Sequence, residues 1–74
     1  MWVAELDTGK YSFQACGTTE EEAVEALRRG WARHRKQLVR SYGHNDFYRW
    51  ENLEDGVCTF LIKPGQCLRD YDTI

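Results

Sequence analysis

The sequence lacks most of the features that would assign it to a class of enzyme or metalloprotein. It contains three cysteines, Cys16, Cys58 and Cys67, which is an odd number and includes no CxxC pair. A disulfide framework or a zinc site is therefore not expected, and we predict reduced thiols, no metal and no cofactor. Since the sequence has no P-loop, dinucleotide-binding fingerprint or nucleophile motif, we also predict a non-enzymatic protein.

Long apolar runs are absent as well. The longest apolar stretches are far too short to span a membrane. The N-terminus, MWVAELDTGK, carries acidic residues where a signal peptide would have its apolar core. We therefore expect an intracellular, cytoplasmic protein with no membrane partner. A chain of 74 residues predicts a single domain, over 1–74, with a core too small for a large enclosed active site.

The first part of the chain alternates between apolar and polar residues. WVAEL and YSFQAC both alternate, and DTGK between them has the composition of a tight turn. This pattern predicts a β-hairpin over residues 2–16.

A helical pattern follows Gly17. Thr18 and Thr19 stand three residues before Glu21 and Glu22, which is the spacing of a capping box. We therefore predict a helix over residues 19–41, which Gly43 would end. Its core-facing stripe repeats at spacings of three and four and consists of Val24, Leu27, Trp31, His34 and Leu38. His34 lies on this stripe, which indicates a satisfied packing residue.

The remainder of the chain is predicted to form a second hairpin, over 47–62. Its strands would be FYRWE and VCTFLI, joined by the turn NLEDG, and KPG would end the second strand. Residues 66–74 are expected to form an edge strand or a tail. The resulting order, β-β-α-β-β, predicts a small α+β two-layer domain in which an antiparallel sheet carries one helix on one face.

Charge is distributed very unevenly along the chain. Residues 28–40 hold six basic residues and no acid, although the net charge of the chain is −2. At about 100° per residue, four of these bases lie opposite the core stripe. We call Arg29, Arg33, Lys36 and Arg40 the basic stripe.

Three interpretations of the basic stripe are open. Acidic residues in the first turns and basic residues in the last turns complement the helix dipole, with Glu25 and Arg29 as an i,i+4 pair. The stripe could also follow the phosphates of a nucleic acid. Arginine is moreover enriched at protein interfaces and pairs well with carboxylates, which favours a protein partner.

A second candidate region is aromatic. The stretch YGHNDFYRW, residues 42–50, holds four aromatic residues, and strand alternation would leave either Phe47 with Arg49 or Tyr48 with Trp50 facing outward. We predict the partner-binding residues of this stretch among Tyr42, Tyr48, Arg49 and Trp50, because exposed Tyr, Trp and Arg are typical of interface hot spots and exposed aromatic rings stack on single-stranded bases. Burial of the aromatic residues in a homodimer interface is the third alternative.

The segment YSFQACGTTEEEAVEALRRGW, residues 11–31, resembles the strand–Gly–Thr–helix segment of HicB-like antitoxins. The resemblance implies a related fold and, by analogy, a protein that binds and blocks a nuclease. In size and style the chain also looks like the inhibitors that phages and mobile elements encode against host defences, including anti-CRISPR proteins. The expected function is therefore that of an inhibitor that occludes a nuclease or nucleoprotein complex. The alternative is a small nucleic-acid-binding module that uses the same residues.

Overall fold

The computed structural model describes residues 1–42 and 49–74. Within these ranges the elements are β1 (Trp2–Asp7), β2 (Ser12–Gly17), α1 (Glu20–Tyr42), α2 (Trp50–Leu53), a 3₁₀ helix (Glu54–Gly56), β3 (Cys58–Leu61), β4 (Leu68–Arg69) and β5 (Asp72–Thr73). The α+β class is confirmed, with α1 packed on one face of an antiparallel sheet of order β2-β1-β3.

The predicted first hairpin is confirmed. Strands β1 and β2 pair antiparallel, with Ala4 opposite Ala15 and Leu6 opposite Phe13. In the turn, the Gly9 N–H donates a 2.8 Å hydrogen bond to Oδ1 of Asp7. Gly9 has a φ of 84°, which a side chain would disfavour. The register therefore follows from one turn and one alternating pattern.

The predicted second hairpin, over 47–62, is wrong, although its second strand, VCTFLI, is confirmed as β3. Residues Trp50–Leu53 are helical, and β3 pairs with the free edge of β1, with Ala4 opposite Thr59. Trp50, Leu53 and Val57 all pack against the core, and their spacings of three and four fit a helical turn better than a strand. The rest of the predicted FYRWE strand, 47–48, and Gly43 lie outside the described residues.

The start of α1 is set by its cap and by a glycine. Oγ1 of Thr19 accepts a 3.1 Å hydrogen bond from the backbone N–H of Glu22, as an N-cap residue does. The Glu22 carboxylate accepts a 3.1 Å bond from the Thr18 hydroxyl. A Cβ on Gly17 would come within 2.8 Å of the Ala23 nitrogen, so the strand can turn into the helix this closely only at a glycine.

The core is small and is centred on the first half of α1. Its buried side chains are Ala4, Leu6, Ala23, Leu27 and Trp31. This confirms the central part of the predicted stripe, whereas Val24, His34 and Leu38 are half-buried. No side chain from Ala32 to Arg40 is fully buried. Because α1 has 23 residues, it is about 34 Å long. The six-residue strands span only about 20 Å, so the last turns of α1 extend beyond the core.

The C-terminal residues form a hairpin of their own, which corrects the expected edge strand or tail. Strands β4 and β5 pair with each other around Asp70 and Tyr71, which have φ values of 51° and 71°. The Tyr71 ring centroid lies 5.1 Å from that of Phe60, and its hydroxyl donates a 3.0 Å bond to Glu5. By strand alternation, Glu5 and Phe60 face away from α1. The hairpin therefore lies against the second face of the sheet.

Candidate macromolecule-binding surface

The basic stripe lies on the exposed side of α1, as predicted. Its four side chains, Arg29, Arg33, Lys36 and Arg40, are all exposed. None of them forms a hydrogen bond or ion pair with the part of the chain that the structure describes, although Arg29 lies close enough to Glu25 to lower the pKa of that carboxyl slightly. The stripe is therefore a row of solvated cations whose charge the chain itself leaves largely unneutralised.

Glu25 pairs with a neighbouring arginine and not with the predicted partner, Arg29. Arg28 donates from Nη2 and Nε to the two carboxylate oxygens of Glu25, at 2.6 and 2.9 Å. This bidentate i,i+3 geometry uses both donors of the guanidinium fork. The hydrogen bond is the main cause that lowers the pKa of Glu25 and raises that of Arg28. Both side chains are about half exposed, so the pair contributes little stability.

A groove lies beside the basic stripe, between α1 and α2. It has a volume of about 640 Å³, within the range of ligand-binding clefts. Arg28, Trp31, Ala32, Arg35, Lys36, Val39, Arg40, Trp50 and Glu51 line it. We call this the flank groove. It shares Lys36 and Arg40 with the basic stripe and adds apolar side chains between the cations.

The side of the flank groove formed by α1 was not predicted from the sequence. At about 100° per residue, Arg28, Ala32, Arg35 and Val39 lie roughly 20° to 80° from Val24, between the core stripe and the basic stripe. The 3- and 4-residue spacing of these four positions was the available signal. This spacing does not predict a groove by itself, because the opposite wall is formed by Trp50 and Glu51 of α2.

The aromatic prediction is only partly addressed by the described residues. Arg49 is exposed and Trp50 is half-buried, and Trp50 packs against the core while it also lines the flank groove. The predicted strand alternation is wrong here because Trp50 begins α2. The Tyr42 side chain and Tyr48 lie outside the described residues.

His34 belongs to an aromatic cluster between α1 and β2. Its ring centroid lies 4.5 Å from Tyr11, 5.1 Å from Phe13 and 5.5 Å from Trp31. The packing role is confirmed, but His34 is not fully satisfied, because its buried Nε2 has no hydrogen-bond partner within the described ranges. Cys16, Cys58 and Cys67 are free and exposed. In the described residues, no three His, Cys, Asp or Glu side chains come together in a way that could hold a metal ion.

Comparison with models of known families, with curated protein sequences and with solved structures finds no match. The resemblance of residues 11–31 to HicB-like antitoxins therefore stays a prediction. Among the helices of the described ranges, none has both the length and the apolar character required to cross a membrane.

Proposed function

We propose that this chain is a non-enzymatic binding protein that holds and occludes a macromolecular partner in the cytoplasm. The observation that carries the proposal is the contrast between adjacent arginines. Arg28 is neutralised by Glu25, whereas the four cations of the basic stripe are exposed and have no such partner among the described residues.

The geometry of the stripe favours recognition of an extended acidic surface. Successive members stand four, three and four residues apart, so neighbouring side chains lie about 5 to 6 Å apart at their Cβ atoms. Such like charges repel one another, and an acidic partner relieves that repulsion. Three of the four are arginines, whose planar fork binds carboxylates in bidentate fashion.

A protein is favoured over a nucleic acid as the partner. The same helix begins with Glu20, Glu21 and Glu22 in its first turn, and the chain as a whole is acidic, with an isoelectric point near 5.6. These charges repel a phosphate backbone that follows the helix beyond the stripe. A protein surface with a local acidic patch meets no such repulsion.

The partner class that we propose is a nuclease or a nucleic-acid-handling complex. This part of the proposal rests on the resemblance of residues 11–31 to HicB-like antitoxins and on the general likeness to phage and mobile-element inhibitors such as anti-CRISPR proteins. Enzymes that bind nucleic acids present cationic channels bordered by acidic catalytic sites. An acidic protein with one basic stripe matches both signs of charge on such a surface.

A small nucleic-acid-binding module is the second candidate function. The observation that favours it is the position of Trp50 beside Lys36 and Arg40 in the flank groove. Single-stranded nucleic acids bind to such an arrangement, because nucleobases stack on the aromatic ring while phosphates pair with the cationic side chains.

The proposal is tested by isolating the partner and then reversing the charges. Tagged wild-type protein and a double variant, Arg29→Glu with Arg33→Glu, are used to capture proteins from the source organism. A protein retained by the wild type and not by the tag alone is purified, and its binding and activity are measured with both forms. Inhibition by the wild type that the double variant loses supports the proposal. Binding that the reversal leaves unchanged contradicts it.

A further inference from the structure

We infer that the flank groove binds an acidic peptide segment of a protein partner, with one bulky apolar side chain of that segment inserted beside Trp50. This inference rests on the proposed function and specifies the chemistry of the partner. It follows from two properties of the groove, its charge and its apolar lining. It also involves residues that lie outside the basic stripe.

The charge of the groove selects an acidic occupant. Among the described residues, Arg28, Arg35, Lys36 and Arg40 line it together with one acid, Glu51. Since Glu25 already neutralises Arg28, three of these cations are left against one carboxylate of the described lining. Carboxylates on the incoming segment complement this excess, and they form charge-assisted hydrogen bonds that a neutral segment cannot form.

Arg35 provides a further reason for a carboxylate. Its side chain is half-buried, and its Nε–H is buried with no acceptor among the described residues. A donor N–H that has lost water without gaining an acceptor is unfavourable. An acceptor from a partner offsets that loss, and a carboxylate is the acceptor that best fits the guanidinium fork.

The apolar lining selects an anchor residue. Ala32 and Val39 on α1 and Trp50 on α2 are apolar residues that line the groove, and Trp31 also contributes to its wall. Val39 and Trp50 are only half-buried, so an apolar side chain placed between them removes further apolar surface from water. A buried apolar or aromatic anchor surrounded by charged contacts is the usual arrangement of an interface hot spot.

The extent of the groove favours a peptide over a nucleic-acid strand. From Arg28 to Arg40 the helix rises about 18 Å. Beyond Arg28, α1 carries Glu25 and the three glutamates of its first turn. A short acidic segment fits within this length, whereas a longer phosphate chain would continue into the acidic end of the helix.

The test uses a fluorescein-labelled peptide of about 12 residues, long enough in helical form to span the groove, in which aspartates and glutamates flank a single phenylalanine. Binding to the full chain is followed by anisotropy. The peptide should bind with a dissociation constant of about 100 µM or tighter. Replacing its phenylalanine with serine should weaken binding about tenfold, as expected for loss of a buried anchor.

Two arginine variants provide a matched comparison. Arg35→Met keeps the aliphatic stem and removes the charge within the groove, and it should weaken binding about tenfold. Arg69→Met makes the same change at an exposed position of β4, outside both the flank groove and the basic stripe, and should leave binding of this peptide unchanged. Circular dichroism and melting curves establish that both variants are folded. Val39→Asp provides a second test if Arg35→Met does not fold. It adds a negative charge to the groove beside the apolar anchor, and this charge should repel the acidic peptide.

The position of the bound peptide is read from the three tryptophan indole N–H signals in ¹⁵N NMR spectra, assigned with Trp50→Phe. Peptide should shift the Trp50 signal and leave that of Trp2 in place. The inference is overturned by no binding, by equal loss in Arg69→Met, or by a labelled oligothymidylate that binds at Trp50 more tightly than the peptide. Concentration-dependent dimerisation that shifts Trp50 and excludes the peptide overturns it too, since a second copy would then occupy the groove.

The same variants distinguish failure of this inference from failure of the proposed function. If a captured partner is lost with the Arg29/Arg33 reversal but retained by Arg35→Met and Val39→Asp, the proposed function stands and the groove is not its site. If the partner is retained by the reversal, the proposed function itself fails.

Discussion

The ring of Trp31 stands edge-on to the ring of Phe13, with the centroids 5.4 Å apart and the planes at 88°. This contact joins the middle of α1 to the centre of β2. Trp31 is 1% exposed and is the largest side chain in the core. Edge-to-face aromatic pairs add a specific geometry to the burial of apolar surface, so this pair fixes the position of the helix on the sheet.

Replacing Trp31 with alanine should lower the free energy of unfolding by about 3–5 kcal/mol, because the cavity cannot close completely. Since domains of this size are stabilised by only about 4–11 kcal/mol, this loss is a large fraction of the total stability. Urea denaturation followed by far-ultraviolet circular dichroism measures the change. Arg33→Ala, on the exposed side of the same helix, should alter stability by less than about 0.5 kcal/mol. A Trp31→Ala protein as stable as Arg33→Ala would contradict the core described above.

Two glycine-to-alanine substitutions should have opposite effects. A Cβ on Gly17 would lie 2.8 Å from the backbone nitrogen of Ala23, so Gly17→Ala should destabilise the protein by about 1–3 kcal/mol through displacement of the strand–helix junction. At Gly30, within α1, the nearest atom to an added Cβ is 3.9 Å away. Gly30→Ala should therefore raise stability by about 1 kcal/mol through helix propensity. Thermal melts of both variants should shift in opposite directions, and shifts of the same sign would be inconsistent with this geometry.

The first half of the chain could be predicted well because local and tertiary signals agree there. Ala4 and Leu6 alternate in β1, and Leu27 and Trp31 recur at helical spacing, so periodicity alone identified most of the core. The Thr19 cap was recognisable for the same reason, since its chemistry depends on residues three positions apart.

In the second half, the apolar run over 57–62 predicted β3 correctly, but the other elements could not be predicted from local pattern. Alternation predicts a strand at Trp50 and its neighbours, although the spacing of Trp50, Leu53 and Val57 is helical. Short aromatic runs are ambiguous between the two periods. The turn at Asp70 and Tyr71 carries two non-glycine residues with positive φ, a conformation for which the sequence offers no glycine signal. The flank groove depends on how α2 lies against α1, which is a tertiary property.

The hydrogen bond from Tyr71 to Glu5 should be visible in a titration. That bond, followed by the negative charge of Glu5, raises the pKa of the Tyr71 phenol. Because the folded-state pKa is raised, the associated stabilisation is present below the ordinary tyrosine pKa of about 10 and is lost as pH rises through the higher, folded value. In NMR titrations of the tyrosine ring carbons, Glu5→Gln should move the Tyr71 transition to lower pH. Glu54→Gln, which lies away from this contact, should leave the Tyr71 transition at the same pH. An equal response to both substitutions would indicate that the Tyr71–Glu5 bond does not form in solution.

Reversing the charge of the basic stripe should distinguish protein binding from nucleic-acid binding without affecting folding. Arg29→Glu with Arg33→Glu, and separately Lys36→Glu with Arg40→Glu, should retain the wild-type melting temperature within about 2 °C, because exposed charges contribute little to stability. Mobility shifts with random single- and double-stranded DNA and RNA, at about 0.15 M salt, should show no binding at roughly micromolar protein concentrations. The acidic first turn of α1 and the net negative charge provide the physical reason.

Binding of nucleic acid by the basic stripe would have a definite salt dependence. If the four stripe cations did neutralise phosphates of a duplex, the logarithm of the affinity would fall with the logarithm of salt concentration at a slope of about −3 to −4. Each double reversal would then abolish binding and, by adding repulsion, would do so for every sequence alike. Roughly micromolar binding with that slope, lost in both double variants, would identify a nucleic-acid-binding module.

A slope near zero would instead assign any residual mobility shift to base stacking at Trp50. Trp50→Ala would then remove this shift, whereas both charge reversals would leave it in place.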